Sequence, residues 1–367
     1  MFRRRSHGEG LQNKRDTERA VRAPLGGRKK NKLLLRRYLP ALVLAAAFFA
    51  LVCFDLFVFP LEYLWAFAYS PNLPPRGEGE LRVHFIDVGQ GDCTVLEFPD
   101  GKTMIVDGGD GRAETHMRVL GYCRGLGIDT FDWALLTHAD SDHAGGLDDA
   151  LNYFGADTVF LPAAGTEGEG YREVRLAAER AGARLRTAQM FESGISSQRE
   201  RFYYWMLLSP FSQSVVPPAQ GEETNDSSAV LYLEYAGRTF LLTGDAPSAV
   251  EDRLAEAYTE TAGAVFERPV QAAWGKITLS PALEKLDFLK AGHHGSASST
   301  GEMLASLCAP NALFISCGAG NTYGHPNLSC MKNVLAASPD AEIYRTDELG
   351  NIMLTVRDGG EYSVRFG

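Results

Sequence analysis

The chain has 367 residues and a net charge of −10, and that charge is split: the first 37 residues carry +10, leaving −20 on residues 38–367. So acidic a body is not built for general nucleic-acid binding, which relies on basic surface to release counterions. Six cysteines occur, none in a CxxC pattern, and the five outside the first apolar segment cannot all pair internally. A disulfide framework is therefore not indicated, and the thiols read as small buried apolar residues.

In chain order, residues 1–37 form a basic tail with Arg3-Arg4-Arg5 and Arg28-Lys29-Lys30 runs. Tyr38 to Phe59 is an almost unbroken apolar segment in which Asp55 is the one charge. About 20 apolar residues span a bilayer, so residues 38–59 are expected to be a transmembrane signal-anchor. The basic flank predicts a cytoplasmic N-terminus and an extracytoplasmic C-terminal domain, a single-pass protein of the cell membrane. The alternatives are a cleaved signal peptide, with Ala66-Phe67-Ala68 as its site, and a buried core helix; the segment's length favours the uncleaved anchor. Residues 60–80 read as a linker, with three prolines and two glycines between Pro71 and Glu80.

Residues 81–367 are ample for one core. Strands are expected at Leu81–Val88, Cys93–Phe98, Thr103–Val106, Phe131–Leu136, Asp157–Leu161, Phe202–Leu208, Ala229–Tyr235 and Thr239–Leu242. Later strands are expected at Leu286–Lys290, Ala312–Ser316, Ala341–Arg345 and Ile352–Val356. Helices are expected at Ala113–Leu126, Leu147–Phe154, Tyr171–Ala181 and Ala249–Tyr258, with Pro217–Ser228 a polar loop. From Tyr258 to Leu286 the pattern is the least readable. Strands mixed with helices predict an α/β layer fold.

The most informative stretch is Thr137-His138-Ala139-Asp140-Ser141-Asp142-His143-Ala144-Gly145-Gly146. Four ligand-type side chains, His138, Asp140, Asp142 and His143, lie within six residues on the loop leaving a strand. Imidazole and carboxylate are the donors a divalent hydrolytic metal uses. The paired glycines would let the backbone turn closely beneath an ion. Asp87, Asp92 and Asp107 are expected to support the site rather than ligate. Asp107 ends an apolar strand before Gly108-Gly109, well placed to receive hydrogen bonds under the metal.

This stretch resembles the HxHxDH signature of the metallo-β-lactamase superfamily, with Asp140 where the second His normally stands. His84 to Asp92, Ile105-Val106-Asp107-Gly108-Gly109, Leu242-Thr243-Gly244-Asp245, Lys290 to Ser296 and Tyr323-Gly324-His325-Pro326 follow in order around it. The set is similar to the metallo-hydrolase domain of the ComEC-type DNA-uptake (competence) proteins, over about residues 81–367. The resemblance implies an αββα sandwich, two β-sheets face to face with helices outside and a metal site at one edge. It also implies two divalent ions, zinc or manganese. His138 and Asp140 would hold the first, and Asp142, His143 and one of the two adjacent histidines the second, with Asp245 bridging. His293 is favoured as that ligand and His294 as the substrate-facing partner, since adjacent residues on an extended backbone point to opposite sides. Asp142, His294 and His325 are the expected catalytic groups, and Asn225 supports the first site directly or through water. No His lies between His143 and His293, so the first site is rich in oxygen, which shifts preference toward manganese.

The implied activity is a membrane-anchored, metal-dependent phosphodiesterase or nuclease acting on a phosphodiester substrate, DNA or a nucleotide leading. The alternatives are a cell-envelope phosphodiesterase of the phosphocholine-esterase kind and a non-catalytic binding module.

Overall fold

The computed structural model describes residues 27–57, 66, 70–71, 73–211 and 224–367. The basic tail through residue 26, residues 58–59 of the expected span, linker residues 60–65, 67–69 and 72 (67 and 68 in the candidate cleavage site), and residues 212–223, which include the start of the expected polar loop, lie outside the described residues. The chain divides into two compact units, Met1–Leu61 and Glu62–Gly367. In the first, helix α1 (Gly27–Phe57) contains a window, Arg36–Phe54, long and apolar enough to cross a membrane by length and composition. Leu42, Leu44, Phe48 and Phe49 are exposed along it.

The second unit opens with β1 (Leu81–Phe85), β2 (Thr94–Glu97), β3 (Thr103–Val106), α2 (Ala113–Gly125) and β4 (Phe131–Leu135). There follow α3 (Ser141–Ala144), α4 (Leu147–Phe154), β5 (Ala156–Leu161), α5 (Glu169–Arg180) and β6 (Arg184–Thr187). Next come β7 (Ser193–Ile195), β8 (Tyr203–Ser209), β9 (Val230–Tyr235), β10 (Arg238–Leu242), α6 (Ser248–Thr261), β11 (Arg268–Ala272) and β12 (Gly275–Leu279). The chain ends with β13 (Phe288–Lys290), α7 (Glu302–Cys308), β14 (Ala312–Ile315), α8 (Leu328–Ala337), β15 (Glu342–Arg345), α9 (Thr346–Leu349), β16 (Ile352–Val356) and β17 (Tyr362–Phe366).

One sheet has the order β17-β16-β1-β2-β3-β4-β5-β6 and the other β15-β14-β13-β10-β9-β8-β7, with β11-β12 a separate hairpin. The period of two along a strand explains how they pack. Leu81, Val83 and Phe85 of β1 enter a core shared with Trp205, Leu207, Leu231, Leu233 and Phe240 of the other sheet. The alternate residue His84 faces away and is bonded to Tyr122 of α2 (3.0 Å) and Glu97 of β2 (2.9 Å), so it is a satisfied buried side chain. A second core packs Leu241 and Leu289 of the second sheet against Val250 and Leu254 of α6 and Leu304 of α7. The result is the αββα sandwich. The cysteines of this unit are buried and free.

Within each sheet one parallel pair matters for function. β3 pairs in parallel with β4, and β10 in parallel with β13. The four strand ends deliver Asp107, His138, Asp245 and the His293-His294 turn to one edge of the sandwich. The loop after β4 differs from expectation in containing the single turn α3, which places His138 just before it and His143 within it. The unreadable stretch holds the β11-β12 hairpin, and β6, β7, α7, α8 and β17 were not anticipated from sequence.

Candidate metal centre

The floor of the site is built first. Asp107 has a left-handed backbone (φ 59°) at the end of β3, which turns its carboxylate under β4. Its Oδ1 accepts from the Thr137 amide (2.8 Å), and its Oδ2 accepts from the Thr137 hydroxyl (2.7 Å) and faces His143 Nδ1 at 2.8 Å. Gly108 gives its amide to the His143 carbonyl at 2.7 Å and packs so close to Gly146 and Leu147 that no Cβ would fit. His143 is thereby fixed with Nε2 forward.

Asp92, His143, Asp245 and His294, all buried, each offer a ligand atom within 4.8 Å of the others. His143 Nε2 lies 3.1 Å from Asp245 Oδ1. Asp245 Oδ2 lies 3.9 Å from His138 Nε2 and 3.6 Å from Nε2 of both His293 and His294. Asp245 is thus central to four imidazoles. Asp142 Oδ2 approaches His294 Nε2 at 3.2 Å, and Asp140 Oδ2 approaches His138 Nε2 at 3.7 Å.

The two adjacent histidines do not lie on an extended backbone. Both have positive φ (46° and 54°), so the chain coils left-handed and brings both rings toward Asp245. Such a conformation is uncommon for residues with a Cβ and tends to occur at functional sites. The sequence reading favoured His293, but the buried ring with a second hydrogen bond belongs to His294, whose Nδ1 is 3.0 Å from the Ser316 carbonyl. A ligating imidazole commonly donates its other N–H in this way. His293 is 30% exposed.

Asp92 belongs to the cluster by distance, yet Lys290 Nζ sits 2.5 Å from its Oδ2. The ammonium offsets its charge, while neither Asp92 oxygen has a hydrogen-bond partner among the described residues, so Asp92 faces both Lys290 and the cluster. No sequence argument singled out Lys290, although a lysine closing the apolar strand Phe288-Leu289-Lys290 is a signal in itself, because buried lysines require a partner. Asp140 accepts from the Thr224 hydroxyl (2.6 Å), and Oδ1 of the neighbouring Asn225 is buried without a partner among the described residues. Asp87 stands apart: it pairs with Arg118 at 2.9 Å and lines a different cavity, with Tyr122 and Asn351.

The electrostatics are those of a site that holds cations. Burial disfavours a charged His143, yet Asp245 and Asp107 hold its proton well above the ordinary histidine range. Burial likewise opposes a charged His294, but Asp245 and Asp92 raise it to about 10. Burial would raise Asp245, and the positive His143 and His294 instead hold it well below the usual carboxylate range. Burial and then His143 push His138 down to about 4. His138 Nε2 is buried without a hydrogen-bond partner among the described residues, and the buried His143 Nε2 and Asp245 Oδ1 have only each other, at 3.1 Å. Buried polar atoms are ordinarily paired, so orphaned imidazole and carboxylate atoms facing one point fit divalent metal.

Residues 86–318 match the metallo-beta-lactamase superfamily. The chain belongs to that superfamily. Among curated relatives of this metallo-β-lactamase-like chain, ComE operon protein 3 of Bacillus subtilis is 27% identical, over 90% of this chain and 38% of its own length. Recombination protein 2 of Haemophilus influenzae is 28% identical over 69% of this chain and 26% of its own length. Competence protein ComA of Neisseria gonorrhoeae is 24% identical over 81% of this chain and 35% of its own length. The chain therefore spans well under half of each relative.

Over the cluster lies a cleft of about 340 Å³, lined by residues that include Arg112, Asp142, Asp245, His294, Tyr323 and His325. His325 stands 5.5 Å from His293 and 6.1 Å from His294, ring to ring. Burial, and then the neighbouring His294 and His293, lower its pKa. The metallo-hydrolase site is thus a buried cluster of aspartates and histidines with an open, polar roof.

Proposed function

We propose that this metal-dependent hydrolase is a phosphodiesterase of the ComEC-like type, anchored in the cell membrane by the apolar helix with its hydrolase domain extracytoplasmic. DNA or a nucleotide is the leading substrate class. The observation that carries the reading is Asp245 placed among four imidazoles at the bottom of an open cleft. His138 and Asp140 would hold one divalent ion, His143, His294 and Asp142 a second, and Asp245 both. Bound there, manganese or zinc lowers the pKa of water and offsets the charge of a phosphoryl group. Asp142, half-buried at the cleft wall, accepts the proton of the attacking water. His325, where protonated, donates a proton to the leaving oxygen; its lowered pKa makes that imidazolium a stronger acid and leaves less of it protonated at neutral pH. Asp107 and the Ser316 carbonyl keep His143 and His294 oriented through their Nδ1 atoms.

The acidic charge of residues 38–367 favours a second reading, a cell-envelope phosphodiesterase acting on a smaller or decorated polymer. Assay of the purified full chain, loaded with manganese or zinc, against single-stranded DNA and bis-p-nitrophenyl phosphate tests both. Hydrolysis of both compounds is expected. Hydrolysis of the small ester alone would favour the second reading, and hydrolysis of neither would overturn phosphodiesterase activity.

A further inference from the structure

Tyr323 is 71% exposed, yet it is not a loose side chain on a loose loop. Asn321 pins its segment with four hydrogen bonds: Oδ1 accepts from the Tyr323 and His325 amides, both at 3.1 Å, and Nδ2 donates to the Gly318 and His325 carbonyls at 2.9 and 2.6 Å. Gly318 in turn gives its amide to the Gln90 side chain on another wall of the cleft (3.2 Å). The Tyr323 ring lies nearly parallel to His325, at 5.8 Å and 27°, and His325 meets His293 edge-on at 5.5 Å and 74°. An aromatic row therefore runs from the cation cluster to the cleft mouth and ends in a ring open to solvent. Arg112, 80% exposed and paired through Nε with Asp110, lines the same cleft.

We infer that Tyr323 is a stacking platform for one unpaired nucleobase next to the scissile phosphate, with Arg112 meeting a neighbouring phosphate. The inference rests on the phosphodiesterase reading and narrows its substrate to single-stranded nucleic acid. Every base has a π-face, so an exposed, pinned ring recognises a splayed strand without reading its sequence. This also suits a domain of strongly negative net charge: one stacked base and one guanidinium hold a strand locally.

The test compares short oligothymidylate with the abasic phosphodiester oligomer of equal length, in the full chain and its Tyr323→Ala and Tyr323→Phe variants. Equilibrium binding is read by fluorescence anisotropy without metal, and kcat/KM with manganese. The wild type is expected to prefer the thymidylate oligomer, and Tyr323→Ala to lose about tenfold of that preference in both measurements, while Tyr323→Phe keeps it. An unchanged preference in Tyr323→Ala, or its loss in Tyr323→Phe, would overturn the stacking role. A Tyr323-dependent binding preference without any hydrolysis would support the platform and sink the phosphodiesterase reading instead.

Discussion

His143 Nδ1 lies 2.8 Å from Asp107 Oδ2, and the same carboxylate takes the hydroxyl and, through Oδ1, the amide of Thr137. Asp107 thus accepts every hydrogen it meets and has none to give. Asp107→Asn must present an N–H₂ group to one of these donors, which turns His143 or distorts the end of β4. Metal affinity, measured by competition with a chelator, should fall about 10- to 100-fold. An unchanged affinity would show that His143 does not depend on Asp107 for its orientation.

Without metal, protons occupy this site. His143 is held protonated well above the ordinary histidine range and His294 up to about 10, so both imidazoles are charged at neutral pH. Metal needs them neutral, and binding must release those protons. Affinity should therefore rise with pH between about 6 and 8, by up to tenfold per unit for each proton released. Calorimetry in buffers of different ionisation enthalpy would count them, and one or two are expected. Zero proton release would place the metal elsewhere.

Lys290 and Asp92 are both nearly inaccessible and 2.5 Å apart. Lys290→Met leaves a buried carboxylate unpaired beside Asp245, and should cost about 3 kcal/mol of stability at pH 7.5. Adding Asp92→Asn removes the stranded charge and should recover more than half of the loss. Urea unfolding of chelated protein reads both values. A double variant as unstable as the single one would mean that packing of the lysine, not its charge, matters.

Much of this was legible because the ligands ride on strand ends. The apolar runs ending at Val106, Leu135 and Leu242 mark β3, β4 and β10, and Asp107, His138 and Asp245 follow within a few residues of each end. The His293-His294 turn was harder, because its left-handed backbone is a property of the packed loop: the His293 amide is held by the Gly244 carbonyl at 3.1 Å. The β11-β12 hairpin escaped because its alternation is short and only partly buried: Val270, Ala272, Ile277 and Leu279 turn inward while Arg268, Pro269 and Gln271 are exposed. Tyr323 lies in the Tyr323-Gly324-His325-Pro326 motif, in which sequence gave a role to His325 alone, since a surface tyrosine matters only when its neighbours are known. Lys290 was visible as a charge in an apolar strand, but its partner Asp92 is almost 200 residues away in sequence.

Asp140, 3.7 Å from His138 Nε2, would offer the first ion an oxygen where the resembled signature has an imidazole. Manganese should restore activity to chelated protein at least as well as zinc, because harder ions prefer oxygen donors. Asp140→His should shift that preference toward zinc. Revival by zinc alone, with Asp140→His indistinguishable from wild type, would remove Asp140 from the metal's immediate surroundings.

The most direct measurement is metal stoichiometry by mass spectrometry of the full chain, chelated and then reloaded with manganese, beside an Asp245→Ala variant. Among the described residues Asp245 is the one carboxylate within 4 Å of four imidazoles, so its loss should weaken both metal positions at once. The expected result is close to two ions per wild-type chain, and at least one fewer in the variant, with hydrolysis of bis-p-nitrophenyl phosphate lost by a factor of about 100 or more. Equal metal content in the two proteins, or none in the wild type, would contradict a metal centre organised around Asp245.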